Sequence, residues 1–374
     1  MGNSEITEAV LVTRLQTWLS DIFQGASDLR ITNMQRPSAG GFSAETLLFD
    51  LSFQRDRQQH QQGLVLRRQV VGHEILHQSG LGLESQVMGF LYDSPHFPVA
   101  VPKVLGYEAD PAILGNAFLV VEQLPGRIVP QNPNYNLSGW VQALSEAQRH
   151  ELWANGIQAM AEVHKLDAAP LLPLLSRGKT PNLAGLVSWI EDWLTWALQG
   201  RAHPVARKAL AYLKRECPCD TANGLIWGDS IPANMLFGDD LKVTGLIDWE
   251  LAMAGPGEVD LAWWLLFDEL FSSGYGIPRL PGLPDKAQTL SRYENAIGRT
   301  VSNIHYYEVL AWLRMSIVTI RAVDRLVAQH RFKASNDAWL NNPSSLGLAQ
   351  RLDDTSVSIG ADFLEFSKVL MAPH

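Results

Sequence analysis

Between Trp227 and Glu250 the chain reads WGDSIPANMLFGDDLKVTGLIDWE, and three of its side chains, Asp229, Asn234 and Asp248, are spaced for metal-assisted phosphate transfer. Gly224 to Trp227 is a short apolar run that ends in Gly-Asp, so Asp229 falls where a buried strand opens into a loop and a carboxylate can meet a substrate. Met235 to Phe237 and Val243 to Ile247 read as strands, with the turn-forming Gly238, Asp239 and Asp240 between them. A hairpin symmetric about Leu241 sets Asn234 opposite Asp248, at the roughly 5 Å expected of directly facing side chains. Both could then ligate one metal ion. Mg²⁺ takes oxygen ligands, usually only one or two from the protein, and one carboxylate plus one amide oxygen suits it. Asp229, upstream of the hairpin, is left to orient an attacking hydroxyl and accept its proton.

The run Trp-Gly-Asp-Ser-Ile-Pro-Ala-Asn, followed by Ile-Asp-Trp-Glu, resembles the catalytic core of the aminoglycoside phosphotransferase family, a branch of the protein-kinase-like superfamily. That family usually has His-Gly-Asp, four residues, Asn, a short hairpin and a metal-binding Asp. These map onto Asp229, Asn234 and Asp248, with Trp227 where the commonest form has His. The resemblance runs from about Ile31 to about Leu266. It implies an α+β, two-lobed protein-kinase-like fold, with a small antiparallel-sheet lobe (1–124) for the nucleotide and a larger, mostly helical lobe (125–374) for catalysis and acceptor binding. It also implies ATP as donor, Mg²⁺ as metal and a small-molecule hydroxyl as acceptor. The downstream Gly-Pro-Gly-Glu-Val-Asp-Leu-Ala-Trp is similar to the family too, and implies that Asp260 braces the catalytic loop, with His164 on the preceding helix in a structural role. Val-Leu-Arg-Arg, Trp-Gly-Asp and Gly-Pro-Gly-Glu-Val-Asp look closer to the kinase-like domains related to those fused to acyl-CoA dehydrogenases, which suggests a hydroxyacyl-CoA acceptor.

The elements that must position these groups are legible upstream. After a helix near Ala9 to Phe23, residues Glu45 to Phe53 alternate, with Leu47, Phe49, Leu51 and Phe53 on one face. Gly40-Gly41-Phe42-Ser43 precedes this strand, so Gly40, Gly41 and Ser43 form a turn whose amides can approach a phosphate; a plain hairpin turn is the competing reading. In the next strand, Gly63 to Arg68, Val65 and Arg67 share a face, as a residue packing on adenine and a cation pairing with phosphates must. Kinase-like folds usually place Lys there, and Arg67 keeps the charge on a planar fork. Solvated strand-end charges are the alternative for Arg67 and Arg68. The helix Leu83 to Tyr92 carries Glu84 beside its apolar stripe as a partner for Arg67, with Glu74 a rival. Phe118 to Val121 is another strand, broken by Glu122-Gln123-Leu124-Pro125-Gly126; this reads as a hinge whose backbone, at Glu122 and Leu124, would bond adenine in a kinase-like fold. Helical patterns follow at Ser145 to His164, Leu183 to Gly200, Pro204 to Arg215 and Tyr306 to His330.

At 374 residues, with 46% hydrophobic and 18% charged residues, the chain can bury a large core. A net charge of −9 argues against a nucleic-acid footprint. Cys217 and Cys219, separated only by Pro218, suit reduced cytoplasmic thiols rather than a disulfide framework or metal knuckle. The N-terminus lacks signal-peptide features, and Val309 to Ile320 is too short to span a membrane and carries Arg314. Arg314, Arg321 and Arg325 share a face of the last long helix and could meet an anionic CoA, or be solvated or salt-bridged. Trp189, Trp193 and Trp196 recur at helical spacing, a core stripe more readily than a ligand wall. Arg55 to Gln62 reads as a polar hairpin. Two other function classes fit less: a kinase-like nucleotide-binding regulator with weak or no catalysis, in keeping with Trp227 and Arg67, and a metal-dependent hydrolase, which leaves the glycine turn and Arg67 without a role.

Overall fold

The alternating strand lays its apolar face on the helix that opens the chain, and this sheet-on-helix layer begins the computed structural model, which describes residues 7–37, 44–72, 74–219, 221, 223–333 and 337–370, the side chains of 366–370 excepted. Helix α1 (Glu8–Ile22) presents Leu11, Leu15 and Leu19 to strands β1 (Ser27–Gln35), β2 (Ala44–Arg55) and β3 (Gln58–Gln69). Helix α2 (Leu81–Tyr92), β4 (Val104–Glu108) and β5 (Phe118–Glu122) follow, and the strands order as β1-β2-β3-β5-β4, antiparallel throughout. The Gln-rich segment is not a loop. Only Asp56 and Arg57, at φ +53° and +62°, make the turn, and Gln58 to Gln61 pair along β2 as exposed strand. Strand β4 left no clear sequence signal, because Gly106 and a bulge interrupt it.

The larger lobe is built from α3 (Glu146–Lys165), α4 (Leu183–Leu198), α5 (Pro204–Arg215), β6 (Gly224–Ile226), β7 (Met235–Phe237), β8 (Val243–Leu246), β9 (Met253–Gly255), α6 (Glu258–Leu270), α7 (Lys286–Ile297), α8 (Ile304–Ala328), α9 (Pro343–Gln350) and α10 (Ala361–Leu370). Its helices start where local chemistry lets them: Ser145 caps α3 in a reciprocal box with Gln148. Trp189 and Trp193 are fully buried on α4, and Trp196 packs at the rim of the same core. The β7–β8 hairpin sits in the other core of this lobe, against α3 and α6, with Met235, Phe237 and Leu246 buried beside Trp153 and Trp264. The segment after β5 is tied to the hairpin by reciprocal main-chain bonds between Arg127 and Phe237 (2.9 Å each) and by the Thr244 hydroxyl donating to the Pro125 carbonyl (2.6 Å).

His203, 1% exposed, caps α5 with Nδ1 accepting from Ala206 N (3.3 Å), which assigns the proton to Nε2, 3.2 Å from Ser345 Oγ. Burial pushes its imidazole down from 6.5 to about 4. The folded state therefore stays neutral where the unfolded chain takes a proton, so this stability is complete above the unfolded value and is lost as pH falls through the folded one. Between neutrality and about pH 5 the loss amounts to about 2 kcal/mol. Urea unfolding at the two pH values should show a larger loss for the wild type than for His203→Asn, which keeps a capping acceptor; equal losses would contradict the assignment.

Candidate active site

Strand β6 delivers the chain to the site, pairing Ile226 with Met253 before it turns out through Gly228. At φ +93° a Cβ on Gly228 would run into the Leu251 carbonyl, so only glycine fits. Asp260, in the first turn of α6 and fully buried, holds the turn from beneath. Its Oδ2 accepts from Trp227 N (2.7 Å), its Oδ1 from Gly228 N (2.8 Å), and its main-chain carbonyl from Ser230 Oγ (2.9 Å). His164 Nε2 lies 2.9 Å from Asp260 Oδ2, and its Nδ1 2.8 Å from the Tyr293 hydroxyl. With Asp260 the acceptor, Nε2 carries the proton and Nδ1 accepts from Tyr293. His164 is thus the brace behind a brace.

This loop presents Asp229 with both carboxylate oxygens engaged. Trp263 Nε1 donates to Oδ1 (2.7 Å), and Asn234 Nδ2 donates to Oδ2 (2.7 Å) and to the Asp229 carbonyl (2.9 Å). Burial and the neighbouring Asp248 carboxylate push Asp229 up to about 6, while the bonds from Trp263 and Asn234 and the charge of Arg314 pull the other way. That value suits a proton acceptor working near neutrality.

The hairpin register differs from the symmetric one expected from sequence. Met235 pairs with Leu246 and Leu236 with Gly245, but Phe237 pairs with Val243, so Thr244 is bulged out and spends its hydroxyl on Pro125. Asn234 therefore faces Ile247, whose N–H donates to the Asn234 carbonyl (3.0 Å), and Asp248 lies one residue beyond. Asp248 adopts φ +66°, a left-handed turn that swings it back within electrostatic reach of Asp229. Its Oδ1 accepts from Arg67 Nη2 (3.2 Å), and Arg67 Nη1 is ion-paired with Glu84. The rivalry between Glu84 and Glu74 is thereby settled, since Glu74 offers its side chain to Gly72 N and its carbonyl to Arg321. Arg67 is no solvated charge. Burial works against its protonation, yet Glu84, Asp248 and Glu250 together hold it above its ordinary value. Burial pushes the Glu84 carboxyl up to about 7 against the pull of Arg67.

Trp227, the departure from the commoner His, fills a structural place. Its buried indole packs on Trp249 at 5.3 Å and its Nε1 donates to the carbonyls of Ile247 (3.1 Å) and Asp248 (3.2 Å), tying the turn that carries Asp229 to the one that carries Asp248. Trp227→Phe keeps the ring and strands those carbonyls, so it should cost about 1–3 kcal/mol in thermal or urea unfolding; wild-type stability would show the bond to be idle.

Val65 lies on the Arg67 side of β3, paired with Val121 and half-buried at the edge of the core that holds the hairpin. Glu122 ends β5, donating its N–H to the Lys103 carbonyl (2.9 Å), with its side chain 3.9 Å from Lys103 Nζ. The N–H of half-buried Leu124 has no partner among the described residues, and its side chain closes over Gly245. Gly40, Gly41 and Ser43 lie outside the described residues. The three arginines of α8 do not form one charged face toward solvent. Arg314 is wholly buried, donating to the Gly228 carbonyl (2.7 Å), and Arg321 donates to the Glu74 carbonyl (3.2 and 3.1 Å) and stacks on Trp196; burial also lowers Arg325. Sequence reasoning missed Trp263 as a site residue. Its position three residues after Asp260 on one helix was the available signal, because that spacing places both on the same face.

Residues 50–292 match the phosphotransferase enzyme family APH. Acyl-CoA dehydrogenase family member 11 of Mus musculus is 25% identical over 307 residues, 78% of this chain and 37% of that protein; the chain spans about a third of the length of the curated relatives it matches. Among solved structures, a candidate aminoglycoside phosphotransferase from Ralstonia eutropha superposes with a TM-score of 0.64 at 21% identity, covering 91% of this chain and 98% of the other. A thermostable mutant of aminoglycoside phosphotransferase APH(4)-Ia, in ternary complex with AMP-PNP and hygromycin B, superposes at 0.51 and 16% identity, covering 91% and 96%. These likenesses establish the two-lobed, kinase-like α+β fold, and the match over residues 50–292 places the chain in the phosphotransferase enzyme family APH.

Proposed function

We propose that the protein transfers the γ-phosphate of ATP to a hydroxyl of a small molecule. The observation that carries this reading is the convergence of two lobes on one point: Arg67, held by Glu84, reaches across to Asp248, which lies beside Asp229 and Asn234. Residues 1–124 would hold the nucleotide, with Val65 against adenine, the backbone at Glu122 and Leu124 bonding its edge, and Arg67 on the phosphates. The loop of Gly40, Gly41 and Ser43 would cover them. Residues 125–374 would supply catalysis and the acceptor site.

The donor set fits Mg²⁺. The Asn234 amide nitrogen is committed to Asp229, which leaves its oxygen as the free end, and one Asp248 oxygen is committed to Arg67, which leaves the other. Among the described residues there is no cage of three acidic, His or Cys side chains, and a two-oxygen set matches a metal that completes its shell with phosphates and water. Bound there, Mg²⁺ would supply neutralisation of charge on the phosphate oxygens. Asp229 accepts the proton of the acceptor hydroxyl as that oxygen takes the γ-phosphoryl group, and ADP is the leaving group. Asp248→Asn should therefore weaken Mg²⁺-dependent ATP binding in calorimetry by ~10-fold or more; unchanged affinity would remove Asp248 from the metal site.

For the acceptor we favour a hydroxyacyl-CoA, supported by the likeness to relatives named as acyl-CoA dehydrogenase family members. Labelled ATP offered with hydroxyacyl-CoAs, aminoglycosides, sugars and amino alcohols tests this, and preferential labelling of the latter three would overturn it. Among the described residues no helix is long and apolar enough to cross a membrane.

A further inference from the structure

Arg314 is a buried cation without a direct carboxylate bond among the described residues: it is 0% exposed, its Nη2 donates to the Gly228 carbonyl (2.7 Å), and its Nε and Nη1 have no hydrogen-bond partner among them. Burying a guanidinium this way is costly, and burial lowers its affinity for a proton to about 10 even with Asp260 and Asp229 nearby. What the charge does touch is an indole. Its Cζ sits 4.3 Å from the centroid of Trp263, a favourable cation–π stack in a desolvated place. That indole donates to Asp229 Oδ1 (2.7 Å). The same guanidinium thus holds the peptide just before Asp229 and the ring that grips its side chain.

We propose that Trp263 and Arg314 form a positioning pair for Asp229, the indole N–H fixing the Oδ1 end of the carboxylate and the stacked guanidinium locking the ring and the Gly228 peptide behind it. This rests on the reading of Asp229 as the group that meets the acceptor hydroxyl. The pair matters because the other grip on the carboxylate comes from Asn234, a proposed metal ligand on whose amide a bound Mg²⁺ would pull. Trp263 holds Asp229 whichever way Asn234 is pulled, and leaves a lone pair on each carboxylate oxygen for the acceptor.

Two readouts test the pair. In Trp263→Phe the stack survives and the donor is lost, so kcat should fall by ~10-fold to ~10²-fold with KM for ATP nearly unchanged, the signature of a misplaced reacting group. Arg314→Met should do the same and Arg314→Lys should recover part of the loss. The second readout needs no turnover. Of the twelve tryptophan indole N–H resonances in ¹⁵N-labelled protein, the one belonging to Trp263 should move in Asp229→Asn and in Arg314→Met. It is assigned by its absence from Trp263→Phe, or sequentially should that variant not fold. A Trp263 resonance indifferent to Asp229→Asn, or a folded Trp263→Phe with wild-type kcat, overturns the proposal. If the wild type phosphorylates no acceptor, the phosphotransferase reading falls and the resonance alone decides whether the pair exists.

Discussion

Replacing Asp229 with asparagine is expected to lower phosphate transfer by ~10²-fold or more, because removing a positioned proton acceptor typically costs 10² to 10⁴. Nucleotide binding should survive, since Asp229 bonds to Trp263 and Asn234 and makes none with Arg67 or Glu84. The fold should survive as well. An amide at this position relieves the desolvation that pushes the carboxyl up, at the cost of setting its NH₂ against one of the two donors, Trp263 or Asn234. The variant therefore separates chemistry from stability: kcat collapses while the ATP dissociation constant and the unfolding midpoint stay close to wild type. A kcat within about threefold of wild type would remove Asp229 from the reaction.

Arg67→Met should be the most destabilising single change at the site. Glu84 is 1% exposed, and without Arg67 it keeps, among the described residues, only the N–H of Trp249 (3.4 Å) while facing the charge of Asp248. Removing one partner of a buried ion pair costs about 3–5 kcal/mol. The loss should depend on pH in a defined sense. Burial already pushes Glu84 up to about 7 with Arg67 present, and its removal takes away the largest opposing influence, so the folded variant holds a neutral Glu84 where the unfolded chain ionises. A raised folded value gives stability that is intact below the unfolded value and is lost as pH rises through the folded one, so the penalty grows from acid toward alkaline pH. Adding Glu84→Gln to Arg67→Met should return much of the loss, a coupling that a double-mutant cycle in urea reads directly. A loss under about 1 kcal/mol for Arg67→Met would show the pair to be ornamental.

The parts of the fold that repeat over many residues were open to sequence reading. The alternation of β2 and the helical stripes of α2, α3, α4, α5 and α8 put these elements within a few residues of their observed bounds. Two short or interrupted elements outside the motif were not. Strand β9 is three residues long and β4 is broken by a glycine, so neither leaves a periodic trace. At the site, residue types and spacing named the groups that converge, while geometry set by single residues escaped. One bulged residue, Thr244, shifts the pairing that would have set Asn234 against Asp248, and Asp248, at positive φ, lies within electrostatic reach of Asp229 instead. Arg314 shows the limit most plainly. A cation in an apolar helix reads the same whether it reaches solvent or is buried on an indole, and only packing tells them apart. Trp227 shows the converse: a departure from the usual residue still ties the two turns together, because its indole N–H reaches the Ile247 and Asp248 carbonyls.

Asp229, Asn234 and Asp248, with Arg67 and Glu84 beside them, are proposed to transfer phosphate to a hydroxyl. Phosphorus-31 NMR of the protein with ATP, Mg²⁺ and a hydroxyacyl-CoA reads that transfer at the phosphorus atom itself. A new phosphate-ester resonance should grow in step with ADP and be absent from Asp229→Asn. Mg²⁺-dependent ATP binding with no ester from that acceptor or from any other hydroxylated compound would contradict it, and would point to a nucleotide-binding regulator on a kinase-like fold.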